Sequence, residues 1–307
     1  MKRDDFTVYL LFALPIVGQN GRIESIYIQT APVSSPQGNR FIMREYRGSC
    51  MAKRNENHTG RTIQSVKIAF SIIDVAQRRE NVGVTELANE LGHSKSTIHS
   101  HLQTLVNQEI LVPEDDGYRL SLRILDMARR VRDQVGNYDV IEKEVNELAT
   151  NTNEIAQFGI EEYGRVSYLC KAMGPKAVET ASRVGTQQPM YATSLGKTIL
   201  AYLTTDRQEQ IIANCSFERQ TKNTISDAEE LYDELERITE RGYGIDNEEN
   251  IHGLRCVAAP VQNEDTVLGA ISISGPTSRF TDDRLHSELA EQVLRAANVI
   301  ELNTKFS

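Results

Sequence analysis

Apolar positions recur at helical spacing over residues 62–77, where Ile63, Val66, Ala69, Phe70 and Ile73 predict a first helix. Glu80-Asn81-Val82-Gly83 breaks it. A short helix is expected from Thr85, as its N-cap, to Glu90, with Leu87, Ala88 and Leu91 inward. Gly92-His93 makes a turn, and Ser94 or Ser96 caps a third helix that runs to about Asn107. On that helix Ile98, Leu102, Leu105 and Val106 form a packed stripe. Ser96, Ser100, Gln103 and Asn107 fall on the opposite face, flanked by Thr97, His99 and Thr104. This face is small, polar and free of carboxylates, with Lys95 at its entrance, which suits insertion against bases and phosphates. Residues 110–113 and 118–122 are β-prone runs around Asp116-Gly117, a hairpin whose Arg119 can touch a phosphate backbone. Helix, helix-turn-helix and hairpin make a winged helix-turn-helix; a helical module for protein contact is the alternative.

The rest of the chain has a different rhythm. Residues 123–135 predict a connecting helix with Arg129, Arg130 and Arg132 on its exposed side, and Ile141, Val145, Leu148 and Ala149 mark the next helix. Alternation over 156–160 and 166–170 predicts a hairpin through Tyr163-Gly164. Helices are expected over 193–203 and 226–241, strands over 255–261 and 268–274, and a last helix capped by Thr281. Without βαβ regularity the fold class is α+β around an antiparallel sheet. In the last strand Ala270, Ser272 and Ser274 share one face and Ile271 and Ile273 the other. The strand Cys256–Pro260 is also built of small residues. Two readings stay open here: a cavity for a small molecule, or tight packing of helix on sheet. The helix start Ser194-Leu195-Gly196-Lys197 offers free N–H groups suited to a carboxylate, with Lys197 adding positive charge. Asp246 lies in an acidic run after Gly244 that reads as a loop of solvated carboxylates.

Charge sharpens the division. The net charge of −9 splits into +2 over residues 1–50, +1 over 51–135 and −12 over 136–307. A near-neutral front module on an acidic body can still bind DNA through a local basic surface. The length of 307 residues fits two or three domains. We expect a winged helix-turn-helix over 51–122, a linker helix over 123–137 and a ligand-binding body over 138–307. Four cysteines without a Cys-x-x-Cys pair argue against a disulfide scaffold or a thiolate zinc site and suit a cytoplasmic protein. The apolar run Val8–Val17 is short and broken by Pro15, so no membrane span is expected. Its flanks resemble a secretory signal only loosely, since Asp4 and Asp5 spoil the leader and no small-x-small cleavage site follows. Residues 1–50 are expected to be an extension without order of its own, the working protein starting near Met51.

Catalytic patterns are scarce. The six histidines form no His-Glu-x-x-His, and neither a Gly-x-Ser-x-Gly elbow nor a phosphate loop occurs. The spacing of Asp246, His252 and Ser272 does not support a triad. No enzyme activity, metal or cofactor is expected; a metabolite-hydrolysing enzyme with a fused regulatory domain is the alternative.

The residues Ser65-Val66, Glu86-Leu87-Ala88, Leu91-Gly92 and Ser94–His99 resemble the helix-turn-helix of the IclR (isocitrate lyase regulator) family. So do Ala192–Lys197, Gly242-Tyr243-Gly244, Asp246, Glu248-Glu249, Gly253–Val261, and Ser272–Pro276 with Arg279. The resemblance covers about residues 61–303. It implies a DNA-binding winged helix joined to a GAF-like effector domain, acting as a homodimer or dimer of dimers on a double-stranded operator. It implies a small organic acid, aromatic acid or sugar-derived metabolite as effector. It places the effector at Leu195, Gly196, Asp246, Leu254, Cys256, Ser272 and Ser274. Tyr191 stands where many members have His, a departure at the pocket rim.

Overall fold

A computed structural model of the chain describes residues 61–264 and 266–305, and the backbone of two strands nearer the start. Those strands, β1 (Leu11–Val17) and β2 (Ile23–Gln29), pair antiparallel from Leu11↔Gln29 to Val17↔Ile23. The expectation of an unordered extension does not foresee this pair. The other residues of 1–50, and the expected start near Met51, lie outside the described residues.

The front domain opens with α1 (Gln64–Arg78), which buries Ile68, Ile72, Val75 and Ala76. Of the five positions that signal the helix in the sequence, Ala69 and Ile73 pack half-buried against this core, whereas Ile63, Val66 and Phe70 stay exposed. The next helix, α2 (Val84–Leu91), begins earlier than expected. Glu86 Oε2 accepts the N–H of Gly83 at 3.2 Å, so Gly83 is the cap and Thr85 sits inside the first turn. Gly92, at φ 68°, ends α2 in the left-handed conformation a side chain resists. The turn leads to α3 (Lys95–Asn107), where Ser94 Oγ accepts the N–H of Thr97 at 3.1 Å. Ile98, Leu102 and Leu105 are buried against the α1–α2 core, each fully buried side chain contributing about 2 kcal/mol.

The wing is β3 (Leu111–Glu114) and β4 (Gly117–Leu120), with Val82 bridged to Tyr118 as a third edge. Tyr118 and Leu120 pack on the core. Leu122, the last residue of the β-prone run 118–122, is 75% exposed because the strand has already ended and α4 (Arg123–Val135) begins. No residue of α4 is buried. Gly136, at φ 69°, separates it from α5 (Tyr138–Thr152).

The body is a six-stranded antiparallel sheet ordered β7-β6-β5-β10-β9-β8. Its strands are β5 (Ile155–Glu162), β6 (Arg165–Met173), β7 (Gln187–Pro189), β8 (Gly244–Asn247), β9 (Leu254–Asn263) and β10 (Thr266–Pro276). The helices α6 (Ser194–Ala201), α7 (Thr205–Ala213) and α8 (Ala228–Arg241) lie between β7 and β8 in sequence. After β10, α9 (Asp282–Arg284) passes through a π-helical turn into α10 (Ala290–Lys305). One face of the sheet presents Ala156, Phe158, Val257, Ala259, Ile271 and Ile273 to α5 and α10. The other presents Ala258 and Ala270 to a core containing Leu195, Ile199, Leu231 and Ile238 of α6 and α8. The α+β class is as expected, while α7, β7 and β8 are elements the patterning does not announce.

Candidate functional site

Two surfaces collect the residues singled out from the sequence. On α3, Lys95, Ser96, His99, Ser100 and Gln103 are exposed and Thr97 is half-buried. The hydroxyls are tied to their own helix: Ser100 Oγ donates to the Ser96 carbonyl at 3.0 Å, and Thr97 Oγ1 meets Ser94 Oγ at 2.8 Å. Such local bonds exchange easily for water or a base edge. Arg119 is on β4, where its Nε donates to Glu114 Oε1 at 2.6 Å and its Nη1 to the Leu120 carbonyl at 3.2 Å. The wing turn carries Glu114, Asp115 and Asp116, which line a shallow pocket of about 440 Å³ with Asn81. The wing tip is therefore the acidic part of this domain, and Arg119 is already answered there.

The second surface is the α6 face of the sheet. Strand register sets side chains in rows across it. Ser274, Cys256 and Asp246 are successive partners on β10, β9 and β8. Ser272 stands one pleat along, opposite Gln157 on β5 and Ala258 on β9. Leu254 alternates onto the same face as Cys256. Leu195 and Gly196 open α6 above it, so all seven expected effector residues share this side. Ser272 is 1% exposed, and its Oγ has no hydrogen-bond partner. A desolvated hydroxyl left unpaired is costly and calls for an explanation.

Asp246 is not a solvated loop residue. It is 2% exposed on the edge strand β8, where its Oδ1 accepts the N–H of Glu249 at 2.7 Å and of Asn250 at 3.4 Å. Burial, with the Glu249 carboxylate beside it, pushes its pKa up to about 7 against the pull of Lys197. Lys197, also 1% exposed, donates to both oxygens of Glu249 at 2.6 Å. Burial pushes the Glu249 carboxyl up as well. The sequence suggests a lysine whose charge is open to a ligand; the fold spends that charge on an internal ion pair. Glycine at 196 has a packing reason, since a Cβ there would meet the Met190 backbone within 2.7 Å. Its N–H is taken by Thr193 Oγ1 at 3.0 Å. Burial, then the Asp246 carboxylate, raises the Cys256 thiol well above its usual value, so it is a small neutral lining group.

A cleft of about 480 Å³ is lined by Gln220, Thr221, Lys222, Asn250, Ile251 and His252, and by none of the seven expected effector residues; its last three lining residues belong to the turn that follows β8. Thr221 Oγ1 donates to the Glu248 carbonyl and Thr224 Oγ1 to the Glu249 carbonyl, both at 2.6 Å, closing the 220–224 loop on that turn. Tyr191 is buried; its hydroxyl donates to the Glu218 carbonyl at 3.0 Å, so it anchors the rim segment beside Phe217. His252 is exposed against Glu248 and forms no triad with Ser272, whose hydroxyl is unpartnered. Among the described residues no cluster of His, Cys, Asp or Glu is arranged to hold a metal ion. No helix there is long and apolar enough to cross a membrane.

Comparison with known proteins decides what this pair of surfaces belongs to. Residues 134–302 match the bacterial transcriptional regulator IclR C-terminal family, and residues 65–115 match the IclR helix-turn-helix domain. The chain belongs to the IclR family. It is 32% identical over 232 residues to the HTH-type transcriptional regulator KdgR of Escherichia coli, covering 75% of this chain and 88% of KdgR. The crystal structure of the Thermotoga maritima IclR aligns with a TM-score of 0.68 at 25% identity, over 79% of this chain and 99% of that one. An IclR homolog from Microbacterium hydrocarbonoxydans, complexed with 4-hydroxybenzoate, shares the fold with a TM-score of 0.68 at 22% identity. That alignment covers 79% of this chain and 98% of that one. This IclR-family chain is thus a DNA-binding transcriptional regulator.

Proposed function

We propose that this regulator reads duplex DNA with the outward face of α3 and answers a small organic acid or sugar-derived metabolite held on the α6 face of the sheet. The observation that carries the effector site is the Ser272 hydroxyl, shut inside the fold without a partner. Leu195, Gly196, Asp246, Leu254, Cys256 and Ser274 complete the lining. Lys95, Ser96, Thr97, His99, Ser100 and Gln103 approach the bases and phosphates of the major groove. Arg119 reaches a phosphate by leaving Glu114, an exchange between exposed charges that costs little.

The working unit is a homodimer, alone or as a dimer of dimers. Ile63, Val66 and Phe70 at the start of and along α1 and Leu122, Leu125, Met127 and Val131 around α4 are large, apolar and exposed, the character of a covered surface. The effector shifts the dimer between DNA-competent and incompetent arrangements. The protein acts in the cytoplasm by binding rather than catalysis, without a cofactor. Ser272 has no base against it, and the Cys256 thiol is held protonated by burial.

Titrating the full chain onto its own upstream DNA across salt concentrations, with sedimentation to count protomers, tests this. Two or four protomers per site and a linear fall of log affinity with log salt are expected. A salt-independent interaction, or one protomer per site, would sink the proposal.

A further inference from the structure

Leu195, Gly196, Asp246, Cys256, Ser272 and Ser274 are all buried, so the space they share is shut. A shut site admits a molecule only through a part that moves, and its walls are held with unequal strength. The strands are joined by backbone ladders. The start of α6 is fixed by the Lys197 ammonium, bound to both oxygens of Glu249 at 2.6 Å, and by Gly196 pressed on the Met190 backbone. Moving either wall breaks a sheet or a buried ion pair.

The segment 217–224, between α7 and α8, is held differently. It crosses from the start of α6 to the turn after β8. At one end the Tyr191 hydroxyl donates to the Glu218 carbonyl at 3.0 Å, and the Tyr191 ring lies 5.1 Å from that of Phe217. At the other, Thr221 Oγ1 donates to the Glu248 carbonyl and Thr224 Oγ1 to the Glu249 carbonyl, both at 2.6 Å, and Asn223 Nδ2 donates to the Asn247 carbonyl at 3.0 Å. Thr224 Oγ1 also accepts the N–H groups of Gln220 and Thr221, at 3.0 and 2.8 Å, which makes it the knot of the segment. These fasteners are neutral bonds from side chain to backbone, each of modest strength, and segments held in this way open before the fold does. Phe217 adds strain, since its φ of 47° lies in the left-handed region that an L side chain resists. The turn underneath is firm. The Glu249 carbonyl takes Thr224, while its N–H is held by Asp246 Oδ1 at 2.7 Å and its carboxylate by Lys197. The segment can therefore lift while the buried charges keep the turn in place.

We propose that residues 217–224 are a strap that gates the site beneath α6, lifting from the Glu248 and Glu249 carbonyls to admit a small molecule and relatching through Thr224 to close over it. This rests on the effector site proposed above.

The Cys256 thiol reports opening without any ligand. It is buried on the α6 face, whereas Cys170 is buried among the α5 and α10 side chains on the other face of the same sheet. Iodoacetamide alkylation of the native full chain, followed at each cysteine by peptide mass spectrometry, separates local opening from general loosening. Thr224→Val keeps the shape of the side chain and removes its hydroxyl. It should speed alkylation of Cys256 at least about tenfold and of Cys170 less than about twofold. Tyr191→Phe keeps the ring on Phe217 and loses only the Glu218 bond, and should speed Cys256 by about two- to fivefold. Thr224→Ser should match the wild type. A Cys256 rate that rises in neither Thr224→Val nor Tyr191→Phe, or that rises only in step with Cys170, overturns the strap. So does a Thr224→Ser rate as fast as that of Thr224→Val. Since no ligand takes part, such a result leaves the effector site standing, and a misplaced effector site leaves the alkylation result standing.

Discussion

On α3 the hydroxyls of Ser96 and Ser100 stand in solvent; on β10 Ser272 and Ser274 are shut beneath α6. The residue type is the same and the consequence is opposite. An exposed serine satisfies itself on its own helix, as Ser100 does on the Ser96 carbonyl, and gives that bond up at little cost when a base arrives. A buried serine has no water to fall back on, so Ser272 carries a standing penalty until something fills the site. In the function proposed above, the first surface is covered from outside by DNA and the second is completed from within by the effector. Charge follows the same split: α3 has no carboxylate on its outward face, whereas the sheet face holds Asp246 and Glu249 in the interior.

The largest effect should come from the buried charges. Lys197→Met leaves Glu249 and Asp246 without a cation and should destabilise the protein by about 3–5 kcal/mol in urea unfolding. A change below about 1 kcal/mol would mean that the pair is solvated, and the contrast between the two surfaces would weaken. Next comes the double change Ser100→Glu with Gln103→Glu. It should lower duplex DNA affinity at least about a hundredfold in gel shift while leaving the melting temperature nearly unchanged. Intact DNA binding would remove α3 from the interface.

A smaller effect is pH-dependent. Asp246 has a folded pKa of about 7, above its ordinary 3.8, so the fold favours the protonated form. Its contribution to stability is present below about pH 4 and is lost as pH rises through 7. Asp246→Asn keeps an acceptor for the N–H groups of Glu249 and Asn250 and removes the titration. Its stability relative to wild type should therefore improve from pH 5 to pH 8, on the order of 2 kcal/mol. A difference that stays flat across that range would show Asp246 ionised throughout. The smallest effect is Ser272→Ala, which should stabilise the ligand-free protein by about 1 kcal/mol while weakening its effector response. Loss of stability instead would show that the hydroxyl has a partner in the folded state.

Much of this was legible along the chain. The recognition-helix stripe of Ile98, Leu102 and Leu105 is periodic and is buried as that period requires. The alternation Ala270–Ser274 shows which side chains share a face, and the register keeps them together. Of the apolar stripe at α1 only Ala69 and Ile73 reach the core while Ile63, Val66 and Phe70 stay exposed, because period marks an apolar face without saying what covers it. Asp246 misled through its neighbours: an acidic run after glycine is usually solvated, and only the pairing of β8 with β9 buries this member of it.

The sequence by itself determined the long helices and the central strands of residues 61–305 and the kind of face most of them present, since these follow from periodicity over a few turns or pleats. Only the tertiary structure decided where the charge goes. Lys197 meets Glu249 52 residues away, and Asp246 is buried by the pairing of β8 with β9. Electrostatic energy depends on distance in space and on desolvation, and neither quantity is written in the spacing of residues along a chain.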